Sequence, residues 1–89
     1  MKILVIEDEK KLAYTIVESL KNEKFDVCLR YDGESGEDEA LTNTYDLIIL
    51  DVMLPKKNGF EILKTLKKEK IKAPIIIVTA KDTIQDKLN

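Results

Sequence analysis

Histidine is absent from these 89 residues, and that absence excludes more chemistry than any other feature. It removes zinc sites of the usual kinds and every acid/base scheme built on imidazole. Cysteine occurs once, at position 28, so an intramolecular disulfide and a thiolate metal cluster are both excluded. A lone thiol fits a reducing compartment. Long hydrophobic runs are missing too. The opening aliphatic run, Ile3 to Ile6, meets Glu7-Asp8-Glu9 at once, which leaves it too short for a signal-peptide core. No run approaches the roughly 18 residues that a membrane span requires. A cytoplasmic protein without membrane contact is the expectation. There is no excess of one charge, since 15 basic residues face 17 acidic ones for a net charge of −2. A global attraction to nucleic acid or to an anionic surface is therefore not expected. Internal repeats, linkers and low-complexity segments are also lacking.

What is present suits one small domain over residues 1–89. The chain is 44% hydrophobic and 36% charged, which excludes disorder. Three aliphatic runs stand out: Ile3-Leu-Val-Ile6, Leu47-Ile-Ile-Leu50 and Ile75-Ile-Ile-Val78. Such runs suit strands buried on both faces of a parallel sheet. The alternating stretch Phe25–Leu29 suits a less buried edge strand. Between the runs the period changes. Leu12, Ala13, Ile16, Val17 and Leu20 form one helical stripe, and Ile62, Leu63 and Leu66 form another. The stretch Tyr31 to Gly36 reads as a turn entering a weaker helix, with Gly36 as a local cost of about 1 kcal/mol relative to Ala. Asp82 would cap a last helix carrying Ile84 and Leu88. The order β-α-β-α-β-α-β-(α), with short connections, predicts a doubly wound α/β fold of the flavodoxin type. Its parallel sheet has strand order 2-1-3-4 and right-handed crossovers.

In that order the polar residues ending the strands share one edge. Glu7 and Asp8 follow the first strand, Asp51 the third and Thr79 the fourth. The crevice between the first and third strands is the switch point where such sheets bind ligands. Two carboxylates about 4 Å apart repel by about 4 kcal/mol at an effective dielectric near 20, so the cluster calls for a cation or a proton. With oxygen donors alone, the matching cation is Mg²⁺, ahead of Mn²⁺ or Ca²⁺. A carboxylate beside Mg²⁺ points to phosphoryl chemistry with Asp51 as nucleophile and Thr79 offering a hydroxyl to phosphoryl oxygens. Each residue also has a plainer reading. Asp51 could be a turn residue, Glu7-Asp8 a dipole-complementing pair, and Thr79 structural. Cys28 reads as a small core residue, Tyr14 and Tyr45 as packing groups with a wet hydroxyl, and the lysines of the Ile62 helix as a solvated face.

These motifs resemble the receiver (CheY-like) domain of bacterial two-component response regulators. Lys2-Ile-Leu-Val-Ile-Glu7-Asp8-Glu9 is similar to the family's opening strand and acidic pair. Asp46-Leu-Ile-Ile-Leu-Asp51-Val-Met-Leu-Pro55, followed by Asn58-Gly59-Phe60, resembles its acceptor strand. Pro74-Ile-Ile-Ile-Val-Thr79-Ala80-Lys81 resembles its fourth strand with the switch hydroxyl, and Tyr31-Asp32-Gly33 its turn before the second helix. The Glu-Asp pair and the Val-Met-Leu-Pro run look most like the winged-helix (OmpR/PhoB-like) transcription regulators. The resemblance implies that Asp51 accepts a phosphoryl group from a sensor histidine kinase. It implies that Asp8, Asp51 and the Met53 carbonyl hold Mg²⁺, with Glu7 acting through a water, and that Thr79 reports the phosphoryl group. DNA binding would reside in an output domain outside this chain. The family also has a fifth strand, whose terminal lysine contacts the phosphoryl group, and a fifth helix. The sequence ends at Asn89 before these, and Lys81 is too close to Thr79 to serve as that lysine. An incomplete receiver is thus expected, one that self-associates through an exposed fourth strand. The alternative is a phosphorylation-impaired module that only binds partners or dimerises. A metal-dependent phosphohydrolase would need a second Asp two residues after the nucleophile, where Met53 stands.

Overall fold

A computed structural model describes residues 1–78. Its elements are β1 (Lys2–Ile6), α1 (Lys10–Asn22), β2 (Asp26–Arg30), α2 (Gly33–Thr42), β3 (Leu47–Asp51), α3 (Gly59–Lys68) and β4 (Ile75–Val78). The strands form one parallel sheet in the order β2-β1-β3-β4. This is the expected doubly wound arrangement. The expected last helix, with Asp82, Ile84 and Leu88, lies outside the described residues.

Side chains of a strand alternate between faces, and β1 divides accordingly. Leu4 and Ile6 join Ile48 and Leu50 of β3, Ala40 of α2, and Ile62 and Leu66 of α3 in the main core cluster. Ile3 and Val5 point to the opposite face, the α1 side, and are equally buried. Both faces of β1 are thus covered, which is why its sequence is aliphatic from Ile3 to Ile6, whereas β3 buries Ile48 and Leu50 on the core face and leaves Leu47 and Ile49 half-buried on the other. The α1 stripe falls where its spacing predicts: Ala13 is buried, and Leu12, Ile16, Val17 and Leu20 are half-buried. Cys28 is half-buried against the core. Lys64, Lys67, Lys68 and Lys70 are exposed. At the β4 edge Ile76 and Ile77 are exposed.

Four local features differ from the sequence expectation. Tyr14 is 66% exposed, because it sits beside the α1 stripe rather than on it. Tyr45 is buried, and its hydroxyl donates to Glu39 Oε2 instead of to solvent. Gly36 is not simply a weak point in α2. A Cβ there would stand 2.6 Å from Ile6 Cγ2, so glycine permits α2 to press against β1. The helix itself starts at Gly33, earlier than the turn reading suggests, because the Asp32 carboxylate accepts the Ser35 N–H at 2.8 Å as an N-cap.

Both α1 and α3 end in the same way. Lys24 and Lys70 have φ of 68° and 59°. The N–H groups of Phe25 and Ile71 donate back to the carbonyls of Leu20 and Leu66 at 3.2 and 3.0 Å. Those of Lys24 and Lys70 donate to Lys21 and Lys67 at 2.8 and 3.1 Å. This is the Schellman closure, with lysine in the position that glycine usually takes. Because of it β2 starts at Asp26 rather than Phe25.

Candidate functional site

The first strand hands the chain to α1 through Glu7, Asp8 and Glu9. The Glu7 N–H is fixed by the Arg30 carbonyl at 3.0 Å, which extends the β1–β2 ladder to the edge of the sheet. The Glu7 side chain turns inward and accepts the Glu9 N–H on Oε2 at 3.0 Å. Glu9 in turn caps α1 by accepting from the Leu12 N–H at 3.2 Å. On the neighbouring strand, Asp51 ends β3. Its Oδ1 accepts the Met53 N–H at 3.3 Å. Glu7 and Asp51 are fully buried, while Asp8 is exposed and closes the group from the solvent side. One carboxylate oxygen from each of the three lies within 4.8 Å of the others.

Two oxygens in this group, Glu7 Oε1 and Asp51 Oδ2, are buried without a hydrogen-bond partner among the described residues. An orphaned buried acceptor is costly, and two side by side mark a place built for something that supplies positive charge. Burial, and then the nearby Asp51 and Asp8 charges, push the Glu7 carboxyl from 4.5 to about 7, against the pull of the Glu9 N–H. Burial also raises the Asp51 carboxyl, opposed first by the Met53 N–H and assisted by the Asp8 charge. The pair titrates jointly and holds a proton well above the usual carboxylate range. An all-oxygen set of this kind fits a hard divalent cation.

Glu7, Asp8 and Asp51 therefore meet as the strand order requires, and Met53 follows them on the exposed loop after β3. Thr79 lies outside the described residues; the register pairs Asp51 with Val78, the residue before it. Sequence reasoning missed the polar contacts behind the site. Lys57 of the β3–α3 loop meets Glu37 of α2 at 2.9 Å, and the Gly33 N–H donates to the Pro55 carbonyl at 3.1 Å. Residues twenty or more positions apart gave no local pattern from which to read these.

Comparison with known proteins accounts for the arrangement. The response regulator receiver domain matches residues 3–89. The chain belongs to this family. The receiver is 49% identical over 87 residues to the response regulator ArlR of Staphylococcus saprophyticus, a match covering 98% of this chain and 39% of that protein. It is 43% identical over 89 residues to the transcriptional regulatory protein DltR of Streptococcus agalactiae, covering 100% of this chain and 40% of the relative. The chain thus spans about two fifths of the length of these relatives. Among solved structures, a Francisella response-regulator receiver domain superposes with a TM-score of 0.86 at 36% identity, covering 98% of this chain and 72% of that one. The response regulator TrrA of Thermotoga maritima, solved in complex with Mg²⁺ and a beryllium fluoride, gives 0.85 at 31% identity, covering 98% and 76%. The receiver is a signalling domain rather than a conventional enzyme, and its acidic cluster occupies the family's phosphorylation site. Among the described residues no helix is long and apolar enough to cross a membrane.

Proposed function

We propose that this receiver accepts a phosphoryl group on Asp51 from the phosphohistidine of a sensor kinase, with Mg²⁺ as cofactor. The observation that carries the reading is the buried Asp51 carboxylate, with one orphaned oxygen, inside a three-carboxylate cluster at the switch point of the sheet. Asp8, Asp51 and the Met53 carbonyl would hold Mg²⁺, with Glu7 behind them through a water. The ion, when bound, neutralises the charge of the transferring phosphoryl oxygens.

The remaining work falls to the chain. Asp51 supplies the nucleophilic oxygen at the end of a rigid central strand. The Met53 N–H, 3.3 Å from Oδ1, fixes the rotation of that carboxylate. The bond from phosphorus to the imidazole nitrogen breaks as the bond to the Asp51 oxygen forms, and the electron pair returns to the imidazole. Glu7 keeps the inner wall of the site acidic and desolvated, and Thr79 offers its hydroxyl to the phosphoryl group. The full-length protein would act in the cytoplasm as a transcription regulator whose DNA-binding output is a winged helix; the DltR relative is a transcriptional regulatory protein.

Incubation with acetyl phosphate and Mg²⁺, followed by intact-mass analysis, tests the reading. Wild type should gain one phosphoryl group, and Asp51→Asn should gain none. A wild-type protein that stays unmodified, or an Asp51→Asn variant that is modified equally, overturns it.

A further inference from the structure

The loop from Val52 to Asn58 joins the acceptor strand to α3 and carries Met53. Its ends are tied together, since the Gly59 N–H donates to the Val52 carbonyl at 2.9 Å. Its middle is held from outside. The Lys57 N–H donates to the Pro55 carbonyl at 2.7 Å across Lys56, whose φ is 70°. A hydrogen bond spanning two residues over a positive-φ centre is the rare, strained form of γ-turn. A lysine adopts that conformation only where its surroundings insist.

Those surroundings are the first turn of α2. The Gly33 N–H donates to the same Pro55 carbonyl at 3.1 Å. A Cβ on Gly33 would overlap the Lys57 carbonyl oxygen and stand 2.7 Å from its carbonyl carbon. Both are backbone atoms, so the loop itself would have to move. One turn along α2, Glu37 Oε1 accepts a hydrogen bond from the Lys57 ammonium at 2.9 Å. Oε2 lies at the same 2.9 Å without hydrogen-bond alignment, and the two side chains are 15% and 32% exposed.

We propose that Gly33 and Glu37 are positioning residues for the metal and acceptor site: together they clamp the strained turn at Lys56 and so set the Met53 main chain against Asp51. This rests on the reading of the carboxylate cluster as a Mg²⁺ site. The Met53–Asp51 hydrogen bond, at 3.3 Å, is already slightly longer than the usual N–H···O range. A displaced loop would break it and carry the Met53 carbonyl away with it. A shared acceptor at Pro55 then makes the seating of α2 and the geometry of the cation site a single event.

Calorimetric titration with Mg²⁺ at a fixed, mildly alkaline pH tests the clamp, paired with hydrogen exchange at the Met53 amide. Gly33→Ala should raise the Mg²⁺ Kd by about tenfold, the usual scale for losing a partner behind a ligand. Glu37→Gln, which removes the ion pair but keeps its shape, should raise it about threefold. Both should speed exchange at Met53. Ile48→Val, a core change at the opposite end of β3, should lower stability yet leave the Kd within about twofold. If Gly33→Ala does not fold, Glu37→Gln carries the test alone. Wild-type binding with an unchanged Kd in the folded variants overturns the clamp and leaves the cation site standing. Failure of wild type to bind Mg²⁺ overturns both.

Discussion

Replacing Asp51 by asparagine should make the metal-free protein more stable, although it removes the residue on which function depends. Glu7, Asp8 and Asp51 bring carboxylate oxygens within 4.8 Å of one another. Two unit charges at that distance repel by roughly 3.5 kcal/mol at an effective dielectric of about 20. Burial is the largest cause of the push on Glu7, from 4.5 to about 7, and the Asp51 and Asp8 charges add to it. The whole push corresponds to roughly 3 kcal/mol of native-state cost once Glu7 is ionised, of which Asp51→Asn relieves only the part due to the Asp51 charge. Solvent and counter-ions reach the cluster from the Asp8 side, which reduces the net figure to roughly 1–2 kcal/mol. The substituted carboxamide would carry no charge, and its N–H could donate to the orphaned Glu7 Oε1.

The pH dependence follows from the direction of the shift. The folded state holds the Glu7 proton more tightly than the unfolded state. Between pH 4.5 and about 7 the native protein therefore binds more protons, and stability falls as pH rises. Above about 7 the cost is complete. Urea unfolding followed by circular dichroism, with a chelator present, should thus show Asp51→Asn ahead of wild type at about pH 8. The lead should be about 1–2 kcal/mol, and it should narrow towards pH 5. In a domain of this size each kcal/mol corresponds to about 4–8 °C in Tm. Millimolar Mg²⁺ should raise the stability of wild type and not of the variant, because only a folded, charged site gains from the ion. An Asp51→Asn variant no more stable than wild type in metal-free buffer at pH 8 would refute the account of the cluster as electrostatically strained.

Two further substitutions test the frame around the site. Lys70→Gly should stabilise the protein by about 0.5 kcal/mol in urea unfolding. The left-handed conformation at φ 59° costs a side-chain-bearing residue about 1 kcal/mol, and part of that is offset by the greater freedom of glycine in the unfolded chain; a loss of stability would refute the capping argument. Tyr45→Phe should cost about 1–1.5 kcal/mol by the same assay, because it deletes a buried donor to Glu39. That carboxylate also pairs with Arg30 at 3.0 Å and accepts from Asn43 at 2.8 Å. The Tyr45 hydroxyl is the main cause holding the Glu39 carboxyl below its ordinary 4.5, with Arg30 assisting. Stability from this group is present above that value and lost as pH falls through the lowered one, so the acid limb of the stability profile should move to higher pH in the Tyr45→Phe variant. An unmoved limb would refute the role of the hydroxyl.

The parts of the fold that were legible share a cause. Ile3–Ile6 announces itself because a strand covered on both faces of a parallel sheet needs apolar side chains at successive positions. Leu47–Leu50 and Ile75–Val78 read the same way from sequence, although Leu47 and Ile49 are half-buried and Ile76 and Ile77 are exposed. The α1 stripe was legible residue by residue, since one face meets the sheet and the other meets water. The convergence of Glu7, Asp8 and Asp51 followed from topology alone: parallel strands end on the same edge, and the order 2-1-3-4 makes β1 and β3 neighbours. Helix ends were less legible. Lysine at 24 and 70 gives no closing signal, because the Schellman hydrogen bonds are made by the backbone and tolerate the wrong side chain at a cost. Tyr14 misled for a related reason, since an aromatic beside an apolar stripe looks like part of it.

The glycines of α2 mark the deeper limit. From sequence, Gly36 is a helix with a missing methyl group, and Gly33 is the end of a turn. In the folded chain each is the point where something else arrives: the Ile6 side chain at 36 and the Lys57 backbone at 33. The information lies in the clearance between segments that are distant in sequence, and a residue with no side chain cannot encode its partner. That places the two halves of the site on different footings. The carboxylates are fixed by strand order, which any sequence with these aliphatic runs would specify. The loop that completes the cation site depends on whether α2 can approach to within a methyl group of it. A receiver with Glu7, Asp8 and Asp51 intact but a larger residue at 33 would therefore keep its acidic cluster and lose the placement of Met53. Presence of the acidic residues alone is a weaker guide to an active acceptor than the same residues together with Gly33.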